Sequence, residues 1–235
     1  MVDESAVCLK DFDFEKIPVS RLEPGELGVL MARAGAGKTA WLTQLSIGYL
    51  LRGGPVLHVC VDIVPDKVKV WYHELLRNLF AQQPGCSIQD LQHKVEPRRF
   101  IMSFLNQTFS PEKLETSIEN LQKQAGFQPS LIILDGLDFE RNDRTVFEGI
   151  HGLAGKYSVP IWLSATMHRH ITDENERGVP HPAGTVDDLF SSILMLIPEG
   201  DSLRLKILKE KDKHNQVDSE FLLDPNTFLL LKKSR

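Results

Sequence analysis

The chain contains 235 residues, 42% of them hydrophobic, and 27 basic against 32 acidic residues give it a net charge of −5. This length can bury one substantial α/β core, so we expect a single domain over residues 1–235, with residues 1–20 as an N-terminal lead-in. The acidic balance argues against a strong general affinity for nucleic acid or an anionic membrane, although it leaves local basic loops open.

Targeting signals are the next feature that the sequence excludes. No apolar run approaches the length of a bilayer span, and residues 1–5 lack the basic and hydrophobic regions of a secretory signal. The sequence therefore predicts a cytoplasmic protein with no membrane partner. The cysteines have no metal-like spacing, which favours reduced thiols over a disulfide framework at Cys8, Cys60 and Cys86.

The first predicted elements are a short apolar strand, a glycine-rich loop and an amphipathic helix, in that order. A Pro-Gly turn at residues 24–25 leads into the strand, which runs through Ala32. The helix carries Leu42, Leu45 and Tyr49 at helical spacing, and a Gly-Gly pair at residues 53–54 ends it.

The glycine-rich loop matches the pattern of a phosphate-binding loop. Gly35 and Gly37 let the backbone curl, so that its N–H groups can face phosphate oxygens. Lys38 can reach the β- and γ-phosphates, and the Thr39 hydroxyl can ligate Mg²⁺. Ala32 replaces the usual first glycine and still permits a tight turn.

The alternative interpretation of this loop is a glycine-rich turn without a ligand, and the flanking strand and helix argue against it. The sequence therefore predicts a nucleotide partner. The predicted contacts are Ala34, Gly35, Ala36, Gly37, Lys38, Thr39 and Ala40.

Strands and helices continue to alternate, which predicts an α/β fold with a mostly parallel central sheet flanked by helices. Further strands are expected at Val56–Val61, Phe100–Phe104, Leu131–Leu134 and Val159–Leu163, and helices from about Pro65 and from Pro111. Antiparallel closing strands and hairpins are expected at Ile193–Ile197, Leu203–Leu208, Glu220–Leu223 and Phe228–Leu231.

Two acidic residues directly follow buried strands. Asp135 would lie at the carboxyl edge of the sheet, where it could orient Mg²⁺ through a water, although a helix-cap or turn role is the alternative. Asp62 would lie beside the γ-phosphate and could polarise the attacking water. Its alternative role is that of a helix N-terminal acid before Pro65.

At this point several segments carry a family resemblance, namely Pro24–Leu27, Ala32–Arg33, Gly37–Ala40 and Leu131–Asp135. They resemble the nucleotide site of the RecA-like P-loop ATPases, especially the motor domain of DnaB-type replicative helicases and the KaiC group. The tail is similar to the family's late strand, its Lys-x-Arg finger and its closing hairpin, at Leu208–Asp212, Phe221–Pro225 and Phe228.

The resemblance implies a RecA-like fold, ATP and Mg²⁺ as cofactors, and a homo-oligomer, a hexamer in such families. There the finger reaches across the subunit interface to the neighbour's γ-phosphate, and Lys211 takes the place of its arginine. A lysine keeps the charge but lacks the planar bidentate fork. The alternative is that Lys209 and Lys211 are solvated charges on a late strand.

Other departures from the family also predict slow hydrolysis. Asp62 stands where the family usually has glutamate, and residues 164–166 are Ser-Ala-Thr where the helicases have a polar Ser-Gln sensor. Only about two dozen residues precede the core, so the accessory N-terminal domain of these helicases is not expected. A full replicative helicase is therefore disfavoured, and the alternatives are a DNA-stimulated ATPase or a non-hydrolysing ATP-gated scaffold.

Two polar loops are the places where nucleic acid could bind by analogy with the family. They are Glu140–Arg144 and His168–Gly178. In the second loop acids balance bases and no aromatic residue is present to stack on a base, which favours a solvated loop. The spacing of His168, His170 and His181 matches no recognisable metal site.

Overall fold

The computed structural model describes residues 22–81, 86–168, 173–211, 213–214 and 217–232, with side chains except at 217–220 and 231–232. The predicted lead-in, residues 1–20, lies outside this part of the chain. The strands are β1 Leu27–Arg33, β2 Val56–Val61, β3 Arg99–Phe104, β4 Leu131–Asp135, β5 Ile161–Met167, β6 Ser192–Glu199, β7 Ser202–Glu210, β8 Val217–Leu223 and β9 Leu230–Lys232.

These strands form one sheet in the order β3-β2-β4-β5-β1-β6-β7-β8-β9. Every pairing from β3 to β6 is parallel, whereas β6 to β9 pair antiparallel. All residues of β2 and β4 are buried, as expected for parallel strands covered on both faces. The predicted α/β architecture, with a mostly parallel sheet and antiparallel C-terminal strands, is confirmed.

Helices cover both faces of the sheet. They are α1 Lys38–Leu51, α2 Pro65–Phe80, α3 Ile88–Val95, α4 Pro111–Ala125 and α5 Arg144–Tyr157, with short 3₁₀ helices at Glu96–Arg98, Ala183–Thr185 and Asp187–Leu189. One core cluster joins α1, α2 and α3 to the sheet, and the other joins α4 and α5 to its opposite face. α2 turns a stripe of buried residues toward the sheet, at Val68, Tyr72, Leu75 and Leu79.

Local signals set both ends of α4, whose start at Pro111 is as predicted. Ser110 caps its N-terminus by accepting a hydrogen bond from the Lys113 N–H, and Pro111 occupies the first turn. Gly126 ends the helix in the left-handed conformation, with φ of 61°. These caps explain why a sequence pattern is sufficient to delimit this helix.

Two helices, α3 and α5, were not predicted. α3 has only eight residues, and α5 contains glycines at 149, 152 and 155, which lower its intrinsic helix propensity. Packing overrides that propensity, because α5 buries Phe147, Ile150, Leu153 and Ala154.

The described residues also bear on the membrane and cysteine predictions. Within them no helix combines the length and apolar character needed to cross a membrane. Cys60 is free and buried, so the expectation of a reduced thiol is confirmed there. The same expectation is wrong for Cys86, which is disulfide-bonded, and Cys8 lies outside the described residues.

The glycines of α5 give opposite stability predictions. A Cβ at Gly149 would lie 2.7 Å from Cγ of Pro111, whereas a Cβ at Gly152 would meet nothing within 4 Å. We expect Gly149→Ala to lower the free energy of unfolding by about 1 kcal/mol, because overpacking outweighs the gain in helix propensity. Gly152→Ala should raise it by up to about 1 kcal/mol. Urea denaturation measures both, and equal effects would contradict the close contact of α4 and α5.

Candidate functional site

The loop between β1 and α1 lies at the carboxyl edge of the parallel strands. Gly35 and Gly37 have φ of 75° and 80°, in the left-handed region that favours glycine. Gly37 precedes α1 without a side-chain cap. Within the described part of the chain, the N–H groups of Gly35, Gly37, Lys38 and Thr39 make no hydrogen bond. The loop thus offers donors to an anion at a helix N-terminus.

Lys38 lies against this loop. Its Nζ donates to the carbonyl oxygens of Ala32 and Arg33, both at 3.2 Å. Burial lowers the pKa of Lys38, while the nearby Asp135 carboxylate opposes this shift. An ammonium group has three donors, so one remains when two carbonyls are bound.

Thr39 and Asp135, the two predicted metal-binding residues, are in direct contact. The Thr39 hydroxyl donates to Oδ2 of Asp135 at 2.7 Å, although the two residues are 96 positions apart. Asp135 is only 1% exposed. Hydroxyl and carboxylate oxygens are the hard ligands that Mg²⁺ prefers, so this pair fits that ion.

The backbone after Asp135 is tightly constrained. Gly136 has φ of 94°, and a Cβ there would lie 2.2 Å from the carbonyl oxygen of Val61. Its N–H donates to the Ser164 hydroxyl at 2.9 Å. Ser164, noted in the sequence as part of a departure from the helicases, therefore fixes the end of β4. Gly136 was not predicted as part of the site, although a glycine directly after a strand-ending acid is a signal in the sequence.

Asp62, the predicted catalytic acid, is exposed and bound to Asn106, which was not predicted as a site residue. Its Oδ1 accepts from the Asn106 N–H at 3.1 Å and its Oδ2 from Asn106 Nδ2 at 2.8 Å. These hydrogen bonds lower the pKa of Asp62. The residue before α2 is Val64, and no side chain caps that helix. Asn106 could have been suspected as a polar residue just beyond a strand end.

Asn106 connects the ends of three neighbouring strands. Besides Asp62 after β2, its amide donates to the Gly136 carbonyl at 3.3 Å, and its Oδ1 accepts from the Asp138 N–H at 3.0 Å. Asn106 itself follows β3. The carboxylate of Asp62 is therefore held near the end of β4, where Asp135 lies.

Lys211 lies at the opposite edge of the sheet from the glycine-rich loop between β1 and α1. Glu210 at the end of β7 pairs with Ser192, and Ser192 pairs with Gly28 near the start of β1. β1 has seven residues, so at about 3.3 Å per residue the two edges lie about 20 Å apart. Lys211 is exposed. The structure does not bring it to Asp62, Thr39 or Asp135 of the same chain.

Lys209 differs from Lys211. It is 7% exposed, and its Nζ donates to the carbonyl oxygen of Asp187 at 2.9 Å. The alternative interpretation of both lysines as solvated charges is therefore wrong for Lys209.

Ion pairs partly hold the two loops that could bind nucleic acid by analogy, Glu140–Arg144 and His168–Gly178. Arg144 begins α5 and pairs with Glu148 and Asp188. Arg177 in the second loop pairs with the buried Asp187. Residues 169–172 of that loop, including His170, lie outside the described residues. Among those described, no group of three metal-ligating side chains is suitably arranged, although Glu140 contacts both His168 and His181.

The turn between β8 and β9 lies beside the glycine-rich loop. A Cβ at Gly37 would lie 2.9 Å from Cδ2 of Leu223. Gln44 of α1 donates to the Phe228 carbonyl and accepts from the Leu230 N–H at 3.2 Å. The rings of Phe228 and Trp71 are 4.8 Å apart. The C-terminal hairpin is therefore attached to α1 and α2 next to the candidate site.

No family model matches the chain, and no curated protein matches it. The arrangement of Lys38, Thr39, Asp62 and Asp135 is therefore the basis for a proposed function.

A buried polar pair lies on β2 and α2, on the same side of the sheet as α1. Nδ1 of His58 lies 3.1 Å from the Tyr72 hydroxyl, and both residues are fully buried. Burial lowers the pKa of His58 from 6.5 to about 4, so the folded protein keeps the imidazole neutral at pH 7.

This pair generates a prediction about pH. Between pH 6.5 and 4 the unfolded chain protonates His58 while the folded chain does not, so stability should fall as pH falls through this window. The total loss is about 3 kcal/mol. His58→Gln should remove that part of the pH dependence, because its amide does not titrate. Urea denaturation of both proteins from pH 7 to 4 measures it, and parallel curves would exclude the contribution of His58.

Proposed function

We propose that this chain is a RecA-like P-loop ATPase, which binds MgATP and hydrolyses it slowly at an interface between copies of the chain. The single observation that carries the proposal is the 2.7 Å hydrogen bond from Thr39 to Asp135, next to a loop of free N–H donors. An alternative glycine-rich turn would not need a buried carboxylate beside a threonine hydroxyl.

The residues of the loop would act on the triphosphate together. The N–H groups of Gly35, Gly37 and Lys38 would donate to phosphate oxygens, and Ala34, Ala36 and Ala40 would line the same loop. The Lys38 ammonium would exchange carbonyl partners for the β- and γ-phosphates. Mg²⁺, held by the Thr39 hydroxyl and by Asp135 through a water, would neutralise charge on the phosphates.

Slow hydrolysis is supported by the environment of Asp62. Its carboxylate accepts two hydrogen bonds from Asn106, and these lower the pKa of Asp62. A carboxylate with a lowered pKa is a weaker base toward the attacking water. The same contacts favour a second candidate function, an ATP-gated scaffold or signalling protein that binds nucleotide without hydrolysing it.

The catalytic cation would come from a second copy. Lys211 is exposed and about 20 Å from its own loop, so it could act only on a neighbour's γ-phosphate. This is the basis for proposing a homo-oligomer, a hexamer by resemblance. The net charge of −5 gives no support to nucleic acid as a partner.

The first test is nucleotide binding by Lys38→Ala. Removal of the ammonium should weaken MgATP binding by at least about tenfold, because a charge-assisted hydrogen bond contributes roughly 1.5–3 kcal/mol and the triphosphate loses its main side-chain cation. Calorimetry measures the affinity, with Lys123→Ala as the control, since Lys123 is exposed on α4. Undiminished affinity in a folded Lys38→Ala protein would remove the phosphate-binding assignment.

The second test is turnover by Lys211 variants across protein concentration, with and without single-stranded DNA. Turnover per wild-type subunit should rise with concentration, and Lys211→Ala should lower it at least about tenfold with unchanged ATP affinity. Lys211→Arg should be faster than wild type, because arginine adds the bidentate fork.

The results of the turnover test separate the candidates. Turnover independent of concentration would contradict the interface site. Tight MgATP binding without turnover would favour the scaffold, and stimulation by single-stranded DNA would favour a helicase-related or recombinase-related ATPase.

A further inference from the structure

The main chain around Lys211 is held on both sides. The Lys211 N–H donates to the Ser191 carbonyl at 2.6 Å, and Glu210 and Lys213 exchange hydrogen bonds of 3.0 and 3.1 Å. Lys211 itself has φ of 54°, a left-handed conformation that is uncommon for a lysine. These hydrogen bonds fix the position of the Lys211 main chain. The contacts that hold the end of β7 therefore also determine which positions the Lys211 ammonium can reach.

Lys209 attaches the end of β7 to the connection between β5 and β6. Its buried ammonium donates to the Asp187 carbonyl at 2.9 Å. A buried charge is costly unless it has partners, so this contact strongly restricts Lys209 and the strand that carries it. Lys211 is only two residues farther along the chain.

Asp187 is in turn fixed by Arg177 and Asn175. Its side chain is fully buried, and its carboxylate accepts from Nε of Arg177 at 2.7 Å, from Nη2 of the same guanidinium, and from Asn175 Nδ2 at 3.0 Å. The Asn175 amide also donates to the Gly184 carbonyl at 2.8 Å. Hydrogen bonds therefore cross-link the connection between residues 175 and 187, and Arg177 supplies two of them to Asp187.

We propose that Arg177 is a positioning residue for Lys211, acting through Asp187 and Lys209 to fix the edge of the sheet that meets a neighbouring copy. The inference deepens the proposed function and rests on it. Arg177 would touch neither nucleotide nor metal. It would set the distance between Lys211 and the neighbour's γ-phosphate, and an error of about 1 Å in such a distance can cost about 100-fold in rate.

The test compares two arginine variants with wild type. Arg177→Gln should lower kcat about tenfold or more and leave the affinity for MgATP unchanged, because its own phosphate-binding loop is intact. Arg177→Lys should recover only part of kcat, since lysine keeps the charge without the fork. The matched control is Arg144→Gln, which removes a bidentate pair with the adjacent Asp188 but leaves the contacts of Asp187 in place.

Mixed oligomers locate the defect. Arg177→Gln subunits mixed with Lys38→Ala subunits should recover turnover, because one contributes an intact loop and the other a correctly held Lys211. The double variant Arg177→Gln/Lys38→Ala mixed with Lys211→Ala should stay inactive, because neither chain then presents a well-placed cation. Thermal unfolding checks that each protein is folded, and Arg177→Lys takes the place of Arg177→Gln in the mixtures if the glutamine variant does not fold.

The possible outcomes separate this inference from the proposed function. An inactive wild-type protein would overturn both. If the wild-type protein is active, three results would overturn only the positioning role of Arg177. They are an undiminished kcat in Arg177→Gln, an equal loss of kcat in Arg144→Gln, and recovery of turnover in the mixture that contains the double variant.

Discussion

The parallel register of β2, β4, β5 and β1 is the constraint on which the candidate site depends. Because these strands run in one direction, their carboxyl ends meet at one edge of the sheet. Asp135 leaves β4 at this edge, and the loop after β1 begins there, so a carboxylate and a hydroxyl 96 positions apart are joined at 2.7 Å. A sheet with either strand reversed would put them at opposite edges.

Keeping a carboxylate at this edge requires support from its surroundings. Asp135 is almost fully buried and accepts from Thr39. The chain then turns at Gly136, where the Val61 carbonyl leaves no room for a side chain and Ser164 receives the N–H. Asn106 adds hydrogen bonds to the ends of β2 and β4. The polar groups of the edge therefore hold one another in place, which is what a preorganised binding site needs.

A further charged group, Lys211, lies at the edge of the sheet opposite the candidate site. Lys211 is exposed there, whereas Lys209 and Asp187 are buried, and Asp187 pairs with the half-exposed Arg177. If the two edges of successive copies meet, the interface is heterologous, and such an interface generates a closed ring when its rotation closes. This geometry is compatible with the oligomer that we propose, in which one chain alone would have an incomplete catalytic site.

The sequence by itself determined the alternation of strands and helices, the glycine loop and the strand that ends in Asp135, because these depend on local periodicity and backbone freedom. It did not reveal α3, α5, Asn106 or the burial of Lys209. α5 forms despite three glycines because its apolar face packs on the sheet. The partners of Asn106 and Lys209 lie on other strands and connections, so their roles depend on strand order and register. Only the tertiary structure decided those contacts, since residues far apart in sequence meet only once the sheet has formed.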